Sequence, residues 1–329
     1  MINSDSPDLP SLTILRVTNL PTDTKNPGRH SELLAKLAGC ETTFVTDVAL
    51  GTTRLATQGE EVITLPLARR RVLSLLRVAY LILKKRPKIV AIHLYWFIPL
   101  AFLRIGPRYV YHIHGLDQKL FHNRIINFFW FSVFDKIFSV TPLEDKRIIY
   151  IPNPAYSEVV DAAKKFEYIK KTNTISFVGR LDKNKNCDFA IKVFEASKLA
   201  DSGYKFLVIG DGEQFKSLKT RYGEVKGVVF CGRLPYEKVL ETLALSRVLV
   251  MSSYSEGYPK VAIEANQLRA NVLSPRYPCF MESKNPFFYD DFNVDEVANL
   301  LIDAAESPWM MIESVSEKDV LMNYQAHYL

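Results

Sequence analysis

The chain is poor in the residues that build metal and disulfide frameworks. Its 329 residues include four cysteines and six histidines. Cys40, Cys187, Cys231 and Cys279 form no Cys-x-x-Cys pair and join no His/Cys cluster, which excludes a zinc finger or iron–sulfur site of ordinary spacing. Scattered cysteines also give no disulfide framework and fit a reducing compartment, so a cytoplasmic location is expected. Met1 to Ser11 has neither a basic nor an apolar leader-like run, so no secretory signal is read there. Long apolar runs are missing too. Ile89–Ile105 approaches the ~20 residues of a membrane span but carries His93, Pro99 and Arg104. With 48% hydrophobic and 24% charged residues, disordered and fibrous classes are excluded.

What is present is unevenly charged. Of the formal net charge of +6, residues 1–150 carry 20 Lys+Arg against 12 Asp+Glu, and the rest is slightly acidic. A basic half suits phosphates or an anionic membrane surface, here the inner face of the cytoplasmic membrane. The bases form no nucleic-acid reader motif, so no nucleic-acid partner is expected. One basic, apolar stretch runs from Ala68 through VLSLLRVAYLIL to Arg86. Its apolar residues are expected to pack on a sheet while its arginines snorkel outward, with membrane contact by another face left open.

Short β-branched runs alternate with helix-length segments along the whole chain. Leu12–Leu20, Thr43–Val48, Val62–Leu65, Ile89–Leu94, Tyr109–His114 and Ile137–Val140 read as strands, and Arg29–Leu37, Arg69–Lys85, Phe97–Arg104 and Phe121–Phe134 as helices. In the second half the strands are Thr174–Val178, Lys205–Ile209, Gly227–Phe230, Val248–Ser252 and Asn271–Ser274. Such alternation predicts βαβ crossovers and parallel sheets. The prolines of Ile151-Pro152-Asn153-Pro154 mark a linker. The expected domains are 1–153, 154–306 and a helical C-terminal segment, 307–329, returning toward the first. The fold class expected is α/β, two Rossmann-like domains facing each other across a cleft. Ligands bind such sheets at the carboxyl ends of strands.

The loops after Val178, Ile209, Phe230 and Ser253 each carry a glycine: Gly179-Arg180-Leu181-Asp182-Lys183-Asn184-Lys185-Asn186, Gly210-Asp211-Gly212-Glu213, Cys231-Gly232-Arg233 and Ser255-Glu256-Gly257-Tyr258-Pro259. A dinucleotide fingerprint needs a further glycine where Phe215 stands, which disfavours a nicotinamide-dependent dehydrogenase. Proline at the start of the helix carrying Glu264 suits its first turn, and the amides of Gly257 and Tyr258 there form an anion site.

VGRLDKNKN, VIGDGE, VVFCGRL and SSYSEGYPKVAIEA, in that order over Ser176 to Ser274, resemble the donor domain of retaining family-four glycosyltransferases of GT-B fold, including the Glu-x7-Glu pair Glu256 and Glu264. The resemblance implies that Arg180 and Lys185 stabilise the departing diphosphate without a metal. It further implies that Glu256 touches the donor sugar, Glu264 the ribose, and Cys231 to Arg233 the base. Gly179, Gly210 and Asp211 would line the nucleotide, and Gly257, Tyr258 and Pro259 the diphosphate. In the first half, His114 matches a histidine that approaches the donor sugar, and Gly28 a loop glycine near the acceptor, although Pro27 departs from the pattern. Metal binding by His112 and His114 is not expected, and no cofactor is implied beyond a UDP- or GDP-sugar substrate. The expected activity is transfer to a glycan or lipid-linked acceptor in surface-polysaccharide synthesis. A non-catalytic nucleotide-sugar binder and a sugar-nucleotide epimerase are the alternatives.

Overall fold

The computed structural model describes residues 12–17, 33, 40–47, 61–65, 71–103, 106–114 and 131–328. Gly28 and most of the segments expected as helices over 29–37 and 121–134 lie outside the described residues. Two compact units divide within the proline-bearing segment: residues 1–152 with 318–329, and residues 153–317. The second unit thus runs on to Glu317 rather than stopping at 306.

The first unit holds a seven-stranded parallel sheet in the order β3-β2-β1-β4-β5-β6-β7. Its strands are β1 (Leu12–Val17), β2 (Cys40–Asp47), β3 (Glu61–Leu65), β4 (Ile89–Ile92), β5 (Arg108–Ile113), β6 (Lys136–Ser139) and β7 (Ile148–Tyr150). Helices α1 (Arg71–Lys85) and α2 (Pro99–Phe102) join β3 to β4 and β4 to β5. Both crossovers step the same way along the sheet, so the right-handed rule puts both helices on one face. There Val78, Ile82, Leu100 and Ala101 pack with Leu15, Val17, Val90 and Ile92. The alternate residue, Arg16, belongs to the other face and is fully buried. Its Nη1 donates to the Tyr328 hydroxyl at 3.2 Å, and Arg108 Nη2 to the Tyr328 carbonyl at 2.8 Å. Those bonds and the Phe138–Tyr328 stack hold the C-terminal helix on this sheet, through the buried stripe Val320, Tyr324 and Tyr328.

The second unit holds a six-stranded parallel sheet, β10-β9-β8-β11-β12-β13. In chain order the strands are β8 (Thr174–Val178), β9 (Lys205–Ile209), β10 (Val228–Gly232), β11 (Val248–Val250), β12 (Asn271–Pro275) and β13 (Phe288–Tyr289). The helices, numbered after α1 and α2, are α3 (Ser157–Lys165), α4 (Cys187–Ser197), α5 (Phe215–Tyr222), α6 (Tyr236–Leu245), α7 (Lys260–Gln267) and α8 (Val294–Glu306), with α9 (Glu317–Tyr328) the C-terminal helix described above. Continuous burial of β11 and β12 reflects helices on both faces. The sequence gives no sign of β7, β13 or α3. Their two or three strand residues and single short helical run give too little periodicity to read.

A cavity of about 330 Å³ opens at the amino ends of β8, β11 and β12. Lys171 Nζ donates there to the Leu268 carbonyl at 2.8 Å and Arg247 Nη1 to the Ala305 carbonyl at 3.4 Å, so these cations face the carbonyl ends of α7 and α8. Burial, then the neighbouring Arg269 and Arg247, lower the Lys171 amine to about 8. The motif loops lie at the other end of the sheet.

Candidate active site

At the carboxyl ends of β8, β9 and β10 the glycine loops touch through their backbones. The Gly179 amide donates to the Ile209 carbonyl at 3.0 Å, the Gly210 amide to the Gly232 carbonyl at 2.8 Å, and the Leu181 amide to the Asp211 carbonyl at 2.9 Å. Gly210 has φ +142°, and a Cβ there would sit 1.8 Å from the Gly179 carbonyl oxygen. Its glycine is therefore required by the adjacent loop, independently of any ligand. Gly210→Ala is expected to destabilise the protein by about 2–4 kcal/mol, the range of strained or overpacked positions, read as a lower urea midpoint. An unchanged midpoint would refute the contact.

The β8–α4 loop carries both candidate cations. Arg180 pairs with Asp182 at 3.0 Å, and its side chain is 80% exposed. Asp182 also accepts from the Lys185 amide at 3.0 Å, so one carboxylate organises the whole turn. Lys185 reaches Glu256 at 2.5 Å, with 23% and 14% of the two side chains exposed. Around that pair the loops are laced together: the Tyr254 amide donates to the Asn184 carbonyl, Asn184 Nδ2 to the Ser255 carbonyl, and the Ser252 hydroxyl to the carbonyls of Lys185 and Asn186. The sequence thus brings Arg180, Lys185, Glu256 and Gly257 to one end of one sheet. Burial and the Glu256 charge push the Cys279 thiol up to about 12, and the same two causes raise Tyr277. Tyr277 in turn fixes the Ser253 carbonyl at 2.7 Å.

Pro259 precedes α7, whose amino end follows Gly257 and Tyr258 directly. Glu264, one turn inside, is buried and accepts from the Tyr236 hydroxyl at 2.9 Å. Asp211 is exposed and caps its own turn by accepting from the Gly212 amide. Cys231 is half-buried, which raises its thiol, and Arg233 is exposed. Neither makes a described contact with the Lys185–Glu256 pair. Tyr236 and Tyr277 give no signal in the sequence, because their partners lie 28 and 24 residues away, whereas the partners of Asp182 stand two and three residues off in the same loop.

His114 stands in the first unit, exposed, just after β5. Its Nε2 is 2.7 Å from His93 Nδ1, and His112 Nε2 is 2.6 Å from the Tyr328 hydroxyl. Donor atoms of His93, His112 and His114 lie within 4.8 Å of one another, a spacing a metal could use. However, the His93 and His112 rings are stacked 4.2 Å apart with planes 7° from parallel. An imidazole lone pair lies in its ring plane, and stacked parallel planes share no point where one ion could take both.

Residues 160–318 match the family model described as glycosyl transferases group 1. A Campylobacter jejuni enzyme, GalNAc-alpha-(1->4)-GalNAc-alpha-(1->3)-diNAcBac-PP-undecaprenol alpha-1,4-N-acetyl-D-galactosaminyltransferase, is 33% identical over 135 residues, 40% of this chain and 36% of the relative's length. The chain therefore aligns with little more than a third of that relative. Among solved structures, a Rickettsia africae glycosyltransferase superimposes with TM-score 0.71 at 16% identity over 97% of this chain and 98% of its own. Anabaena HepE in complex with UDP and glucose does so with TM-score 0.70 at 13% identity over 96% and 99%. These likenesses agree with the two parallel sheets in giving the GT-B fold. The loops of Arg180, Lys185, Glu256 and Glu264 lie within the segment that matches this family model.

Proposed function

We propose that the chain transfers a sugar from a UDP- or GDP-sugar to a glycan or lipid-linked acceptor, with retention of anomeric configuration and without a metal ion. The observation that carries this reading is the Lys185–Glu256 pair set directly before the amino end of α7. As the bond from the sugar carbon to the phosphate oxygen breaks, its electron pair leaves on that oxygen. Lys185 has three N–H donors, so Glu256 can hold one while the others face the diphosphate. Arg180 is 80% exposed where it pairs with the partly buried Asp182, so water screens the guanidinium's side of the pair and lets it exchange its carboxylate for phosphate at little cost. Amides at the α7 end add fixed positive potential. Together these supply the charge stabilisation that a metal would otherwise provide. The acceptor hydroxyl attacks the same face and passes its proton to a leaving phosphate oxygen. Glu256 is assigned to the donor sugar's hydroxyls and Glu264 to the ribose.

The lipid-linked acceptor and a place at the inner face of the cytoplasmic membrane are supported by the undecaprenol carrier in the Campylobacter relative's name. Among the described residues no helix is long and apolar enough to cross a membrane. A panel of UDP- and GDP-sugars tests the reading. One nucleotide class should raise the melting temperature, since ligand at a hundredfold excess over Kd adds about 2.7 kcal/mol. The stabilising donor should then glycosylate a lipid-diphosphate acceptor, detected by mass spectrometry. No stabilisation by any nucleotide, or binding without transfer to any acceptor, overturns it.

A further inference from the structure

We propose that the outward face of α1, continued by the end of α2, docks the protein on an anionic lipid bilayer. Helix α1 buries only Ser74, Val78 and Ile82, a stripe spaced four residues apart. Two residues further on is 200° around a helix, and there stand Leu76 and Tyr80, 64% and 61% exposed. Val72 at 73% and Leu83 at 54% extend the same stripe. Phe102 and Leu103, each about half exposed, lie at the end of α2 on the same face of the sheet. The Arg71 guanidinium, 4.9 Å from the Trp96 ring centre, ties the start of α1 to the segment leading into α2. Leu75, Ala79 and Leu81 add to the core-facing side, so the helix has two apolar faces and core packing uses one of them.

Charge decides the occupant. From Val62 to Leu116 the sequence contains no Asp or Glu and ten Lys and Arg. Arg77, Lys84, Arg86 and Lys88 are exposed around the stripe, and Lys84 Nζ lies 6.0 Å from the Tyr80 ring. Aliphatic side chains flanked by bases, with a tyrosine among them, suit the boundary between headgroups and acyl chains. A second copy of the chain would set like charges against each other. The proposal adds a surface to the lipid-linked acceptor of the proposed function, and its test needs neither donor nor acceptor.

The whole chain is sedimented with vesicles of phosphatidylcholine alone or with phosphatidylglycerol. Binding is expected only to the anionic vesicles and should weaken with added salt. Leu76→Glu with Leu83→Glu should lower the partition coefficient at least about tenfold, since each leucine loses its burial and gains a charge. Lys84→Gln and Arg86→Gln should each lower it about fivefold. These positions are exposed, and unchanged far-ultraviolet circular dichroism and melting temperature check the fold of each variant. Equal binding by wild type and the double leucine variant, equal binding to neutral vesicles, or a dimer that Leu76→Glu dissolves would each overturn the proposal. If vesicles bind but no nucleotide does, the enzymatic reading fails and this one stands.

Discussion

Lys185→Ala is expected to cut kcat by about a hundredfold to a thousandfold while moving the donor KM less than tenfold. That is the range for removing one preorganised donor from developing negative charge. The diphosphate carries charge in the ground state too, but the bridging oxygen gains most of its charge only as the sugar bond breaks. A cation aimed at that oxygen therefore acts mainly on the barrier. Lys185 is held in place by Glu256 and by a turn organised around Asp182. Arg180, largely exposed and tied only to Asp182 in this loop, must be recruited by the ligand. Arg180→Ala should accordingly cost less, about tenfold to a hundredfold. The check is steady-state kinetics beside UDP binding by calorimetry. Loss of UDP affinity equal to the loss of kcat/KM, with kcat preserved, would make Lys185 a binding residue only. Because Lys185→Ala also strands the Glu256 carboxylate, Lys185→Ala with Glu256→Gln separates that effect. If the double variant recovers wild-type kcat, the lysine has no role in the barrier.

The parts of this site that could be read in the sequence are those whose partners are close along the chain. Gly179 to Lys185 is one loop, Glu256 to Glu264 is one loop and the start of one helix, and the alternation of strands orders both. The pairing of Lys185 with Glu256 spans 71 residues and comes from β8 lying beside β11, which strand alternation alone leaves open. Gly210 shows the reverse limit: read as a glycine for a nucleotide, it is required by the carbonyl of Gly179. Helix α1 shows a third. Its apolar residues are numerous enough for core packing and its bases for snorkelling, but periodicity cannot tell which of two apolar stripes meets the sheet. The structure turns Val78 and Ile82, with Leu75, Ala79 and Leu81, to the core and leaves Val72, Leu76, Tyr80 and Leu83 outside. His93 gives no signal in the sequence, because it follows β4 while His112 and His114 stand at the end of β5.

Glu264→Ala should weaken UDP or GDP binding about tenfold to a hundredfold, with a smaller effect on kcat at saturating donor. A ribose has two vicinal hydroxyls, and one carboxylate can accept from both. Each such charge-assisted bond contributes about 1.5–3 kcal/mol, and some is lost to desolvation of a group already buried. Tyr236 donates to Glu264 Oε1. It thereby orients the carboxylate without neutralising it. Tyr236→Phe removes one neutral-to-charged hydrogen bond and should weaken nucleotide binding about threefold to tenfold. The decisive comparison uses 2′,3′-dideoxy nucleotide. Wild type should bind it far more weakly than the parent nucleotide, and Glu264→Ala should bind the two equally, because the variant has nothing left to accept from the hydroxyls. Glu264→Gln, which keeps the shape of the side chain in the helix, guards against a folding defect. If the variant still discriminates between the nucleotides as wild type does, Glu264 does not contact the ribose, and its buried carboxylate serves Tyr236 and the packing of α6 against α7.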